Sequence, residues 1–236
     1  MDRDEMWRHI GEQRMAVAEA LTELDPGEWE QPSLCEGWRV RDVVAHVGLA
    51  PEITWSMALR EFARARGSFH RLIRETAIDR AARPTDELIA VLRRVAASRR
   101  LAPGTTTKEP LLDILVHAQD IFVPLGRDFP MPERPALVAA DRIWQIPPPF
   151  GFGAKKRLRG LRIAATDAPW SRGEGPDVSG PLKAIVLLLA GRVTAAVPHL
   201  SGEGLEALVD RSPNPSTGRA FPAQPSGENP TGEADR

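Results

Sequence analysis

EPLLDILVHAQDIFVPL, residues 109–125, carries apolar side chains at the spacing of a buried helix face: Leu111, Ile114, Leu115, Ala118 and Phe122. Asp113, His117 and Asp120 fall at i, i+4 and i+7 on another face of the same helix. A polar stripe of that kind either meets solvent, as on any amphipathic helix, or converges on a shared ligand. The neighbouring sequence decides what this helix packs against.

Six helical segments are predicted before residue 150, each bounded by proline, glycine or capping residues, with no internal repeat. The first runs from about Asp4 to Leu24 and closes in a turn at Asp25-Pro26-Gly27. A loop with Trp29, Pro32, Cys35 and Gly37 then leads to Trp38, and a second helix opens near Arg39. Its Val40, Val43, Val44 and Val47 make a core stripe, with His46 off that stripe. The helix continues, straight or kinked, through Met57 and Phe62 to Gly67. Another covers Phe69 to about Ala82, and a fresh start after Pro84 gives Leu88, Val91 and Leu92 a common apolar face. The last runs from Pro135 to about Ile146 and stops at Pro147-Pro148-Pro149.

Residues 1–150 therefore read as a helical bundle, 151–210 as a small hairpin-plus-helix region and 211–236 as a disordered tail. PPPFGFGAKKRLRG reads as a linker with a basic patch, Leu161 to Ala165 as a strand, and Asp177 to Gly180 as the returning strand of a β-hairpin. Pro181 and Gly191 frame an apolar helix from Leu182 to Ala190.

A formal charge of -1 gives no basic footprint, so nucleic acid is not an expected partner. The longest apolar run, Ala184 to Ala190, is too short to span a bilayer, and the charged, helix-patterned MDRDEMWRHIGEQR is neither a signal nor a transit peptide. The expected location is cytoplasmic, and a single cysteine, Cys35, fits a reducing compartment. That thiol reads either as packing for the loop into the second helix or as a nucleophile, which needs a cationic setting.

Asp-x-x-x-His on a helix puts a carboxylate and an imidazole on one face, where both reach one divalent ion. The third ligand must come from another helix, and His46 is the candidate, since bundle metal sites are assembled from facing helices. Asp120 is placed to orient a ligating imidazole. His9, His70 and His199 have no comparable partner spacing and read as surface or structural residues.

Three blocks carry a family resemblance. Pro32-Ser33-Leu34-Cys35-Glu36-Gly37-Trp38-Arg39-Val40-Arg41-Asp42-Val43-Val44-Ala45-His46 is similar to the signature of the mycothiol-dependent maleylpyruvate isomerase family, within the DinB-like metal-binding bundles. Asp113 to Asp120 resembles that family's acidic-x-x-x-His-x-x-Asp helix. Trp170-Ser171, Gly173, Gly175-Pro176, Gly180-Pro181 and Ala190-Gly191-Arg192 resemble its C-terminal region, so the likeness spans about residues 5 to 210.

The resemblance implies a mainly α protein: a DinB-like up-and-down four-helix bundle with additional helices and a small α+β C-terminal appendage. It implies a divalent metal, zinc by preference, on His46, Asp113 and His117, and mycothiol as thiol cosubstrate for a transferase or isomerase acting on a small electrophile. Asp113 stands where glutamate is more familiar, and its shorter reach either weakens coordination or demands a closer helix. Arg192 is expected as a catalytic cation for an anionic substrate or thiol, or else as a favourable charge at a helix end capped by Gly191. The alternative function is a non-catalytic metal- or small-molecule-binding helical module.

Overall fold

The computed structural model describes residues 1–54, 56–57, 60, 69–146 and 152–211. Helix α1 (Arg3–Leu21) begins where the Asp2 carboxylate accepts the Glu5 backbone N–H at 2.8 Å, satisfying an amide that the first turn leaves open. Its inner face is Met6, Trp7, Ile10, Val17, Ala18 and Leu21, interrupted by Arg14 at 2% exposure. Arg14 is tolerated there because its Nη1 donates to the carbonyls of Val95 and Ser98, at 3.1 and 3.4 Å, at the end of helix α5 (Thr85–Ala96). The two helices run antiparallel: Asp4 pairs with Arg99, Gly11 lies against Ala96 and Glu19 pairs with Arg93.

The expected turn at Asp25-Pro26-Gly27 is instead one turn of helix, α2 (Pro26–Trp29). Proline favours the first helical position, and the Asp25 amide donates to the Glu28 carboxylate at 2.8 Å, completing a capping box. In α3 (Val40–Leu49) the four valines of the stripe are each at most 1% exposed, worth about 1.5–3 kcal/mol apiece on burial. A 3-10 turn (Ala50–Glu52) follows, and the expected helix through Phe62 to Gly67 lies largely outside the described residues. Helix α4 (Phe69–Ala81) packs on α3.

Helices α1 and α3 each pack against both α5 and α6 (Lys108–Phe122), which makes α1, α3, α5 and α6 a four-helix core. Helix α7 (Glu133–Gln145) covers the remaining side of α6. The reading of the decisive helix changes at one position: Asp120, expected on a polar stripe, is fully buried.

After residues 147–151, which lie outside the described residues, the expected linker holds a helical turn, α8 (Ala154–Arg157), whose Ala154 is buried in the core. Strands β1 (Arg162–Ala165), β2 (Ser171–Arg172) and β3 (Asp177–Gly180) form a sheet in the order β2-β1-β3. The expected hairpin is thus corrected: β2 is the antiparallel return, whereas β3 runs parallel to β1 on its other side, with Ile163 opposite Val178. The chain must first cross back to the start of β1, and it does so through Gly173 and Gly175, at φ +83° and +125°. A Cβ on Gly173 would stand 2.3 Å from the Leu161 carbonyl oxygen. Gly173→Ala is expected to cost about 2–4 kcal/mol, read as a lower urea midpoint at unchanged slope.

Helices α9 (Leu182–Leu189), α10 (Val193–Ala196) and α11 (Leu205–Asp210), with a 3-10 turn (Val197–His199), complete the described chain. Leu111 and Leu115 of α6, Ile143 of α7, Ile163, Val178, Ile185 and Leu188 share one apolar core. The sheet region and the bundle are thereby packed together. Among the described residues no helix is long and apolar enough to cross a membrane.

Candidate metal centre

The segment before α3 folds back on itself before delivering His46. The Val40 amide donates to the Gln31 carbonyl and the Ser33 amide to that of Trp38, both at 2.9 Å. Between them Gly37, at φ +73°, lets the Trp38 amide reach the Cys35 carbonyl at 3.0 Å. The Arg39 amide and Nε then bond to Asp42 Oδ2 at 2.8 and 3.0 Å, fixing the first turn of α3. The Leu34 amide donates to the Asp120 carbonyl at 3.1 Å, which ties this loop to α6 and brings Cys35 against its polar face.

Helices α3 and α6 bring His46, Asp113 and His117 together, with side chains 17, 25 and 14% exposed. Asp113 Oδ1 lies 3.4 Å from His46 Nε2 and 3.4 Å from His117 Nε2. Charge-assisted hydrogen bonds close to about 2.7–2.9 Å, so both spacings are slack for that purpose. They match the edge of a tetrahedral shell around a zinc-sized ion, which at ligand distances of about 2.0–2.1 Å is about 3.3–3.4 Å. Two imidazole nitrogens and one carboxylate oxygen, half-buried and at this separation, fit a single divalent cation with further coordination positions free. The imidazoles meet edge to face at 5.0 Å between centroids, and the Trp38 ring stands 5.4 Å from that of His46.

Without a cation these groups neutralise one another. Burial alone would raise the Asp113 carboxyl, yet His117 and His46 outweigh it and hold it far below the usual carboxylate range. Burial likewise opposes a charge on His117, but Asp113, with help from Asp120 and Cys35, keeps the imidazole protonated well above its ordinary range.

His117 turns its other nitrogen to Asp120. Nδ1 donates to Asp120 Oδ2 at 2.8 Å, since a carboxylate only accepts, and Nε2 is left facing Asp113. Arg192 holds the same carboxylate in a fork, Nε to Oδ1 at 2.8 Å and Nη2 to Oδ2 at 2.6 Å. Its Nη2 also lies 3.1 Å from Cys35 Sγ, and Nη1 donates to the Ala190 carbonyl at 2.7 Å. Burial would raise Asp120 too, but His117 and Arg192 hold its carboxyl far below the usual range.

The local sequence explains how Arg192 arrives there. Helix α9 ends with the Gly191 amide on the Leu188 carbonyl and the Arg192 amide on that of Leu187, with Gly191 at φ +89°. This is the paired closure that a glycine after the helix end permits, and it aims the following side chain at α6. Arg192 therefore stands behind His117, engaged by Asp120, rather than beside the three donors. Cys35 joins the same cluster, its Sγ donating to Asp120 Oδ2 at 3.1 Å. Sequence spacing gives no sign of that contact, because it crosses 85 residues. The tripeptide Cys35-Glu36-Gly37, with its turn-forming glycine, was the available hint. His9 instead faces Glu12 at 3.2 Å, and His199 lies in the 3-10 turn.

Fold and donor set together define a helical bundle of the class able to hold one metal ion between facing helices. Residues 10–122 match the family model described as the mycothiol maleylpyruvate isomerase N-terminal domain, and this part of the chain is a domain of that family. Two solved structures share the fold, both of mycothiol-dependent maleylpyruvate isomerase, one of them a histidine-to-alanine mutant. Each has a TM-score of 0.60, at 18% identity for the unsubstituted protein and 17% for the mutant, with 86% of this chain and 93% of the other covered. No curated protein matches the sequence.

Proposed function

We propose that this protein is a divalent-metal-dependent enzyme that brings a small thiol of the mycothiol type to a small electrophilic substrate, for isomerisation or thiol transfer. The observation that carries this reading is the pair of 3.4 Å spacings from Asp113 to the two imidazoles. His46, Asp113 and His117 would hold the ion, and a mixed nitrogen and oxygen donor set of this kind suits zinc. The thiol class comes from the family and from the two structural neighbours, both described by their dependence on mycothiol.

A cation in this place supplies the positive charge that favours thiolate over thiol for a sulfur brought alongside, giving a nucleophile at neutral pH. The chain's own residues prepare for it. Asp113 contributes a single negative charge, so a divalent centre keeps net positive charge toward a thiolate. Asp120 takes the Nδ1 proton of His117 in a hydrogen bond and so keeps the Nε2 lone pair turned toward the ion. Arg192 is assigned to positioning, since it acts on His117 through Asp120. Trp38 packs against the ring of His46 and limits its rotation.

Elemental analysis of the purified chain, followed by calorimetric titration with mycothiol before and after chelation, tests the reading. About one divalent ion per chain and thiol binding that vanishes on chelation are expected. A chain that stays metal-free after reconstitution, or binds mycothiol equally well with the chelator present, would sink it.

A further inference from the structure

The far side of His117 offers a second set of donors. Cys35 Sγ, Asp120 Oδ2 and His117 Nδ1 all lie within 4.8 Å of one another, at 3.1 Å for sulfur to oxygen, 2.8 Å for oxygen to nitrogen and 3.8 Å for sulfur to nitrogen. A thiolate, a carboxylate and an imidazole are together a strong set for a soft divalent ion. The spacings to Asp120 are nevertheless hydrogen-bond lengths, shorter than the roughly 3.3–3.5 Å edges of a tetrahedral shell. What gathers them is Arg192, whose Nη2 contacts both Asp120 Oδ2 and Cys35 Sγ, at 2.6 and 3.1 Å.

We propose that Arg192 is a resident cation that closes a second metal position, formed by Cys35, Asp120 and Nδ1 of His117, and so keeps the protein's own thiol out of the metal chemistry. This rests on the metal reading above and adds a reason for the guanidinium. It stays charged at every physiological pH and satisfies Asp120 in a planar fork, yet offers no coordination sphere. Cys35 is covalently part of the site, so its effective concentration there is far above that of a dissolved thiol. With the guanidinium gone, it would join Asp120 and Nδ1 of His117 in holding a second ion beside the one on the Nε2 side. Engaged by both Asp120 and Arg192, its sulfur is occupied on the opposite side of the imidazole from Nε2.

Cadmium alone, added to the full-length chain, is the probe, because a cysteine that binds it loses its proton to solvent and produces a thiolate-to-cadmium charge-transfer absorption. Wild type is expected to bind cadmium with no such band. Arg192→Met removes the charge and Arg192→Gln removes it while keeping a donor for Asp120. Both are expected to develop the band, and the added substitution Cys35→Ser to abolish it. A band in wild type, or none in a folded Arg192→Gln variant, would overturn the proposal. The wild-type arm needs no variant to fold. Total bound cadmium separates the two readings: a wild type that binds none refutes the metal-enzyme reading, while the band in the Arg192 variants still reports on the second position.

Discussion

His117→Ala is expected to strip the protein of its metal, with affinity falling by more than the 10–100-fold typical of losing an outer partner. The remaining two donors come from different helices, His46 on α3 and Asp113 on α6, and neither has a second ligand on its own helix. His46→Ala should also lose metal, although it leaves the Asp113 and His117 pair one helical turn apart. Elemental analysis beside circular dichroism checks both; stoichiometric metal in a folded variant would remove that residue from the ligand set. The metal-free protein adds a signature in pH. His117 is held protonated well above its ordinary range, so an entering ion must expel that proton, and wild-type affinity should climb with pH until His117 has titrated. The raised value means that His117 stabilises the metal-free fold fully below about pH 6.5, and that this contribution fades as pH rises through the folded-state value. Asp113 and Asp120 are shifted the other way, so their contribution is present above about pH 3.9 and lost as pH falls below it. The stability difference between wild type and His117→Ala, both metal-free, should therefore be largest in the mildly acidic range between these limits.

Asp120→Asn is the second large effect, and it works by changing an acceptor into a donor. Asp120 Oδ2 receives hydrogen bonds from His117, Arg192 and Cys35 at once. An amide nitrogen there would face three donors, and an amide oxygen there would still leave the buried guanidinium without its counter-charge. Breaking a buried pair in this way costs about 3–5 kcal/mol, which for a chain of this size lowers the melting temperature by about 6–20 °C. Metal affinity should fall a further 10–100-fold, roughly, because the His117 ring loses its orientation. A variant that melts like wild type and binds metal as tightly would show that Asp120 neither balances Arg192 nor orients His117.

The sequence makes some of this visible and hides the rest for physical reasons. The valine stripe of α3 and the apolar spacing of α6 are local patterns, and both helices lie where that spacing puts them. The i, i+4 separation of Asp113 and His117 is likewise local, whereas the approach of His46 depends on how α3 packs against α6. Asp120 is covered by the loop at Leu34 and Cys35 and by Arg192, neither of which marks the sequence around residue 120. The parallel pairing of β1 with β3 hangs on a crossing through Gly173 and Gly175 that backbone clashes dictate and hydropathy does not record. Asp25-Pro26-Gly27-Glu28 was legible as a capping box, but proline beside glycine reads more readily as a turn.

The fork between Asp120 and Arg192 joins residues 72 positions apart, and the family domain that matches this chain ends at residue 122. A chain leaving the ribosome thus completes α6, with its acid at 120, well before the balancing guanidinium has been synthesised. During that interval the carboxylate has no permanent counter-charge, and the segment that must bury it stays open to water. Closure of the Asp120 fork is therefore a late event in the life of each newly made molecule, timed by the arrival of the C-terminal helices rather than by the bundle that carries the acid.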